Sequence, residues 1–369
     1  MHRGLSLLLV LGWVAAGCSA PSSSSSRSPE PPLPPQPYVR ISGADSNHVE
    51  LQIAARQFSS GRRGQPVVWL TGVSHLGDPA YYSALQSHLN SQTLVLYEGV
   101  GAAESENHDT PAAEPDTSGH AIEDSPAASP ASPDPRGSFQ SAMAASLGLV
   151  FQLEAIDYRR QNFRNSDLSI TQLRDLMTRT EAGSGQAGAS ESFESLLQLM
   201  EGNSWFDALL QLALRLLGAN PKFQALGRLA LIDLLGQIQG DPSRLQGLPP
   251  EMKQLLEVLL ERRNEKVIAD LKAQLPKTDR HGSIAIFFGT GHMPDMEKRL
   301  RGELNYRPVT DVWFTAFDVD LAKSKITSSE REFIDNFVKW QLAAARASTD
   351  GSKAPEKGPK NATTQQPAQ

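Results

Sequence analysis

The sequence lacks several features that mark common classes of protein. It contains a single cysteine, Cys18, so no intramolecular disulfide can form. It has no dense basic stripe, and its net charge of −6 argues against nucleic acid as a partner. It also lacks the G-x-S-x-G motif of many serine hydrolases and any repeat at the spacing of a solenoid protein. The remaining indications of function are the N-terminal apolar run and the polar residues that follow apolar strands.

The first apolar run, Leu5–Ala16, is too short to cross a bilayer and is typical of a signal peptide. It leads through small residues to Cys18, a pattern similar to the lipobox of bacterial lipoproteins. We expect residues 1–17 to be a lipoprotein signal peptide and Cys18 to become the acylated N-terminus; the alternative is an ordinary secretory signal with an incidental cysteine. Ser19 stands where an aspartate would favour inner-membrane retention. We therefore predict an outer-membrane anchor facing the periplasm.

Three segments carry too little apolar surface to form a packed core. Residues 18–37 are rich in serine and proline and are predicted to be a disordered tether. Residues 101–137 are acidic and proline-rich, and residues 347–369 form a polar tail. We predict one folded domain over residues 38–346, interrupted by a disordered acidic insert at 101–137.

Two apolar runs end in the same motif, a glycine followed three residues later by a histidine. The first contains Gly72 and His75, and the second contains Gly289 and His292. Runs without polar alternation are typical of strands buried on both faces of a parallel sheet. Ligands of such sheets bind beyond the carboxyl ends of the strands, and a third apolar run leads directly into Glu98. We expect the two histidines and Glu98 to form one site.

The order of the patterns predicts an α/β fold. A helix over residues 79–89 is predicted with Asp78 as its N-cap, and Gln152–Asp157 is predicted to be a short strand. From Phe193 to Leu271 the pattern is mostly helical, and sheet patterns lie on both sides of it. We therefore predict a largely parallel sheet flanked by helices, with a helical block inserted between the two sheet halves.

The order of motifs resembles the TraB/GumN/Tiki family of the erythromycin-esterase/ChaN-like superfamily. The matching features are the first Gly-x-x-His, Glu98, an Arg-Asn pair on a helix (Arg263 and Asn264), and the second Gly-x-x-His. They cover residues 66–98 and 256–317, whereas the region between is matched only loosely. The resemblance implies an EreA/ChaN-like fold.

The resemblance implies two kinds of chemistry for these residues. In the Tiki branch, His75, Glu98 and His292 would hold a divalent metal ion (Zn, Mn or Co) and leave an open position for water. In the esterase branch, a histidine would activate water without metal, and Arg263 would stabilise the developing negative charge. Asn264 would hold a ligand or a substrate carbonyl. Alternatively, Arg263 only pairs with a buried carboxylate.

Three functions remain open from the sequence. The first is a lipid-anchored hydrolase, metal-dependent if the Tiki resemblance holds, that acts on a peptide or ester carbonyl. The second is a non-catalytic lipoprotein that binds haem or a metal ion in the same pocket, and the third is a regulatory protein on the same fold. Asp157 and Tyr158 are expected either to add hydrogen bonds behind the site or to have a turn or core role. The sequence gives no indication of the substrate or the oligomeric state.

Overall fold

The computed structural model describes residues 37–43, 47–62, 64–99, 139–184, 188–201, 218–237, 254–279 and 281–350. These residues belong to the unit Pro35–Gln369. Cys18, the predicted signal peptide, the predicted tether up to residue 36, the acidic insert and residues 351–369 all lie outside the described residues.

A seven-stranded sheet lies at the centre of the described structure. Six strands follow the order β1-β2-β3-β8-β5-β7, and the seventh, β9, pairs along β2 outside this order. Strands β3, β8, β5 and β7 run parallel to one another, whereas β2 is antiparallel to β1, β3 and β9. A separate pair is formed by β4 and β6. The described strands are β1 (Val39–Ser42), β2 (His48–Ser59), β3 (Val67–Val73), β4 (Leu76–Gly77), β5 (Leu94–Tyr97), β6 (Val150–Phe151), β7 (Phe163–Asn165), β8 (Ser283–Gly289) and β9 (Arg307–Asp320).

Helices cover both faces of this sheet, so the prediction of a mixed α/β protein with a largely parallel central sheet is confirmed. Helices α1, α2 and α6 pack in one apolar cluster, and α7 and α8 pack in another. The described helices are α1 (Pro79–Asn90), α2 (Phe139–Ser146), α3 (Gln152–Ala155), α4 (Ile170–Ser184), α5 (Ala189–Glu201), α6 (Pro221–Gln237), α7 (Arg263–Gln274), α8 (Met293–Glu303) and α9 (Ser328–Asp350).

The two apolar clusters explain why the parallel strands lack polar alternation. Along β8, Ala285 and Phe287 belong to the first cluster, whereas Ile284, Ile286 and Phe288 belong to the second. Successive side chains of a strand point to opposite faces, so both faces of β8 are buried. A third cluster joins α4 and α5 to the residues just before α7.

A buried ion pair fixes α8, the helix that begins directly after His292. Arg56 on β2 donates from Nη1 to Glu297 Oε2 at 2.8 Å, and the hydroxyl of Tyr38 donates to the same oxygen at 2.9 Å. Arg56 also donates from Nε to Asp311 Oδ1 on β9 at 2.7 Å. Because Arg56 and Glu297 are both buried, these bonds satisfy charges that have no access to water.

Local details differ from the sequence predictions in three places. The predicted strand Gln152–Asp157 is wrong, because the chain turns into α3 at Gln152, whose backbone N–H donates to the carbonyl oxygen of His75 at 2.9 Å. Asp78 precedes α1 but makes no side-chain cap; its carboxylate pairs instead with Arg228 at 3.3 Å. Helix α9 continues to Asp350, beyond the predicted start of the polar tail. Within the described ranges, no helix is both long enough and apolar enough to span a membrane.

Candidate functional site

The four parallel strands each end next to a polar side chain of one cluster. His75 lies two residues beyond β3, Glu98 follows β5 directly, and Asp167 lies two residues beyond β7. His292 lies in the 3-10 turn Thr290–His292 that follows β8. The carboxyl ends of parallel strands share one edge of a sheet, which is where ligands of such proteins bind. The structure places the side chains of His75, Glu98 and His292 together at this edge, with Nε2 of His292 3.7 Å from Glu98 Oε1.

Arg263, the first residue of α7, lies at the centre of this cluster. Its Nε donates to Asp167 Oδ1 at 2.8 Å, and its Nη2 donates to Asp167 Oδ2 and to Glu98 Oε1, both at 2.6 Å. Its Nη1 donates to the carbonyl oxygen of Leu259 at 3.2 Å and lies 3.4 Å from Nε2 of His292. A guanidinium has five N–H groups. The five contacts above therefore give each N–H group an acceptor within the protein. In this arrangement none remains for a substrate.

Glu98 is held as a carboxylate by these contacts. Its Oε2 accepts a hydrogen bond from the backbone N–H of Gly289 at 2.7 Å, while Oε1 faces Arg263. Burial alone would raise the pKa of Glu98, but Arg263, His292, His75 and the N–H of Gly289 together hold this pKa well below its ordinary value. Glu98 is therefore ionised at neutral pH.

Asn264, the residue after Arg263, fixes the orientation of His292. Its Nδ2 donates to Asp295 Oδ2 at 3.0 Å, so its Oδ1 is the acceptor for Nδ1 of His292 at 2.8 Å. His292 therefore carries its proton on Nδ1, and its Nε2 lone pair faces Arg263 and lies 3.7 Å from Glu98 Oε1. Burial lowers the pKa of His292 to about 4, despite the nearby carboxylate. The imidazole is neutral at pH 7.

His75 is oriented by a carboxamide in the same way, although it is exposed. Its Nδ1 lies 2.8 Å from Oε1 of the buried Gln152, whose Nε2 donates to the hydroxyl of Tyr158 at 2.7 Å. Since the carboxamide oxygen is the acceptor, Nδ1 carries the proton and Nε2 has a free lone pair.

Gly289 leaves a small space between His75 and Glu98. A Cβ atom built on this glycine would lie 3.3 Å from Nε2 of His75 and 3.4 Å from Oε2 of Glu98. The backbone of Gly289 has a φ of −51°, which any residue can adopt. A larger side chain is therefore disfavoured here by the close approach of two polar side chains, not by the backbone conformation.

The metal site implied by the family resemblance requires His75, Glu98 and His292 to share an open position. The guanidinium of Arg263 lies between two of them, 2.6 Å from Glu98 Oε1 and 3.4 Å from Nε2 of His292. A metal cation there would meet this positive charge at short range. Over the ranges that the structure describes, no three His, Cys, Asp or Glu side chains are placed to hold a metal ion. In this arrangement the three side chains do not fit a common ion.

Two members of the cluster were not predicted from the sequence. Asp167 follows a strand of only three residues, two of them exposed, which gives little apolar signal. Gln152 was assigned to the wrong element.

A six-residue π-helix, Glu257–Arg262, directly precedes Arg263, and such irregular turns are frequent at functional sites. Of the two roles expected for Asp157, the structure shows the local turn: its carboxylate accepts from the backbone N–H of Arg159 at 3.2 Å and pairs with Arg159 and Arg160 at the surface.

Neither a protein-family model, nor a curated protein, nor a solved structure matches this chain. The resemblance to the TraB/GumN/Tiki family therefore depends on the order of the motifs alone. The function has to be inferred from the geometry and charge of the site itself.

Proposed function

We propose that the protein is a hydrolase that cleaves an ester or peptide carbonyl, with His75 as the general base that activates water. One observation carries this proposal. Arg263, Asn264 and His292 are buried, whereas His75 is exposed and directs the Nε2 lone pair toward the space above Gly289. An imidazole with a free ring nitrogen next to an ionised carboxylate is an arrangement that general-base catalysis uses.

The proposed reaction needs only water and the substrate. The oxygen of water forms a bond to the carbonyl carbon while its proton moves to Nε2 of His75. The imidazolium then gives that proton to the leaving oxygen or nitrogen as its bond to the carbon breaks. The negative charge of Glu98, on the Nε2 side of the ring, stabilises the imidazolium, while Gln152 takes the place on Nδ1 that the aspartate has in Ser-His-Asp sites. Arg263 and Asp167 hold Glu98 ionised and in position.

A metal-dependent peptidase is the second version of this proposal. It would require Arg263 to move away from Glu98, so that Glu98, His75 and His292 could bind Zn, Mn or Co. The metal would then supply activated water at the same edge of the sheet.

The fold and the location form part of the same proposal. The fold is EreA/ChaN-like, and the helices between β7 and β8 are the inserted block; the four parallel strands and the order of elements support this. The protein is a lipoprotein acylated at Cys18, anchored in the outer membrane and facing the periplasm. The small residues before Cys18 support the anchor, and the substrate is a peptide or a small molecule.

Binding without catalysis is the alternative, and the exposure of His75 favours it specifically. An accessible imidazole with a free Nε2 is also a suitable axial ligand for haem or a ligand for a metal ion. Such a lipoprotein, or a regulatory protein with the same pocket, would have no need of a water-activating base.

One experiment separates these possibilities. The mature full-length protein is purified without a tag, its metal content is measured, and hydrolysis of an activated ester and of a fluorogenic peptide mixture is followed with and without a chelator. Hydrolysis that persists after metal removal supports the His75 mechanism. Hydrolysis that is lost and restored by Zn, Mn or Co supports the metal version. Absence of hydrolysis, together with haem binding that His75→Gln abolishes, would overturn the hydrolase in favour of the binder.

A further inference from the structure

The cluster contains no free donor on Arg263, yet carbonyl hydrolysis needs a donor for the oxygen that becomes negative. All five N–H groups of the guanidinium are taken by Asp167, Glu98, Leu259 and His292. His292 and Asn264 are bound to each other. A donor from a residue outside this group, near His75, would meet that need.

We propose that the hydroxyl of Tyr158 donates to the substrate carbonyl oxygen, and that Gln152 sets the proton positions of both Tyr158 and His75. This inference rests on the proposed hydrolase function. Tyr158 acts on the substrate, whereas Gln152 is a positioning residue.

The hydrogen bonds of Gln152 determine where the protons lie. Its Nε2 donates to the Tyr158 oxygen at 2.7 Å, so that oxygen already acts as an acceptor and its own proton remains available for donation. Its Oε1 accepts from Nδ1 of His75 at 2.8 Å, which leaves Nε2 unprotonated. The buried carboxamide of Gln152 therefore leaves Nε2 of His75 free to act as a base and the hydroxyl of Tyr158 free to donate a hydrogen bond.

The Tyr158 ring packs against residues of the two strands that lead to Glu98 and Gly289. Its centroid lies 4.9 Å from that of Tyr97, the residue before Glu98, and 6.3 Å from that of Phe287, two residues before Gly289. Burial and the charge of Glu98 raise the pKa of Tyr158, which keeps the phenol protonated at neutral pH.

Gln152 itself is held rigidly enough for this role. It is 3% exposed, and its backbone N–H donates to the carbonyl oxygen of His75 at 2.9 Å. The preceding residues pair β6 with β4, with Phe151 opposite Leu76. The side chain of Gln152 and the His75 ring are therefore fixed relative to each other by backbone contacts as well.

The positions of the protons can be measured without any substrate. In ¹⁵N-histidine-labelled protein, long-range ¹H–¹⁵N spectra report the tautomer of His75, and its signals are assigned by their loss in His75→Ala. We expect protonation at Nδ1 in the wild type and in Gln152→Glu, which keeps the acceptor oxygen. Gln152→Leu should move a large fraction to the Nε2–H form, whereas Gln86→Leu, which removes a glutamine that binds the backbone at residue 157, should not. An Nε2–H tautomer in the wild type would overturn the role of Gln152 whether or not the protein is a hydrolase.

Kinetics test the donor. Tyr158→Phe should lower kcat by roughly 10²-fold with little change in KM, and leave the His75 tautomer unchanged. Tyr97→Phe removes a hydroxyl from the same aromatic cluster and should have no such effect. Gln152→Glu should reduce kcat as Tyr158→Phe does, because the phenolic O–H would donate its hydrogen bond to the new carboxylate and no longer be available to the substrate. If Tyr158→Phe and Tyr97→Phe have equal kcat values, the donor assignment is wrong. If the wild type hydrolyses no substrate, the donor assignment fails together with the proposed function. In that case the measured tautomer of His75 still decides the role of Gln152.

Discussion

Glu98 and Arg263 lie 165 residues apart in the sequence and form a 2.6 Å ion pair at the carboxyl edge of the sheet. Both side chains are largely buried, at 15% and 7% exposure, and Asp167 binds the same guanidinium. The pair joins the first sheet half to the helix that precedes the second half. Its energetic importance can be compared directly with that of a surface pair on the adjacent residue.

Replacement of Arg263 by methionine should destabilise the protein by about 3–5 kcal/mol, because it leaves two buried carboxylates without their partner. Arg262→Met is the matched control, since Arg262 is 42% exposed and pairs with Glu257 and Glu265 at the surface. Its cost should be below about 1 kcal/mol. Urea unfolding of both variants provides the measurement, and equal losses would show that the buried pair has no special contribution.

Gly289→Ala should impair catalysis far more than stability. The added methyl group would occupy the space between His75 and Glu98, where its contacts at 3.3 and 3.4 Å require only small shifts of the neighbours. We expect kcat/KM to fall by roughly 10²-fold, with a change of at most about 1 kcal/mol in the free energy of unfolding.

Gly302→Ala is the control for this substitution. It lies in α8, and its new methyl group would meet no atom within 4 Å. It should leave kcat/KM unchanged and stabilise the helix by about 0.5–1 kcal/mol. Full activity in Gly289→Ala would mean that the space above Gly289 is not used in the reaction.

Acidification should destabilise the protein through His292. Burial lowers its pKa from 6.5 to about 4 in the folded state, so the unfolded chain binds a proton first as the pH falls. The stabilisation is complete above pH 6.5 and is lost between pH 6.5 and 4, by up to about 3 kcal/mol. His88, whose pKa burial also lowers to about 4, adds to the loss in the same range.

Urea unfolding between pH 7.5 and 4 measures this effect. His292→Gln should flatten the decline in stability over that range, whereas His281→Gln, at an exposed turn before β8, should preserve it. An unchanged slope in His292→Gln would show that His292 is not buried in its neutral form.

Cys18→Ser should abolish lipid anchoring, because the thiol is the proposed site of acylation. The protein is expected to leave the membrane fraction or to accumulate as the uncleaved precursor, which fractionation and intact mass distinguish. A variant that stays in the membrane fraction with a processed N-terminus would argue against the anchor.

The apolar strands made much of the site predictable from sequence. Strands β3, β8 and β5 are buried on both faces and end shortly before His75, His292 and Glu98. The apolar runs in the sequence therefore indicated both the parallel sheet and the edge that these three residues share. Asp167 could not be found in this way, because β7 has three residues and owes its place to pairing with β5. Gln152 was missed because its position depends on contacts with His75, 77 residues away. The periodicity of apolar residues reports local secondary structure and not contacts between residues far apart in the sequence.

The most direct test of the proposed function is the kinetic effect of removing the base. kcat/KM for hydrolysis of an activated ester or peptide is measured on metal-free, full-length wild type, on His75→Gln and on the control His281→Gln. General-base catalysis contributes typically 10²–10⁴-fold, so His75→Gln should lose about that factor while His281→Gln keeps wild-type activity. His75→Gln with the folded stability and the full kcat/KM of the wild type would contradict the proposal that Nε2 of His75 activates the water.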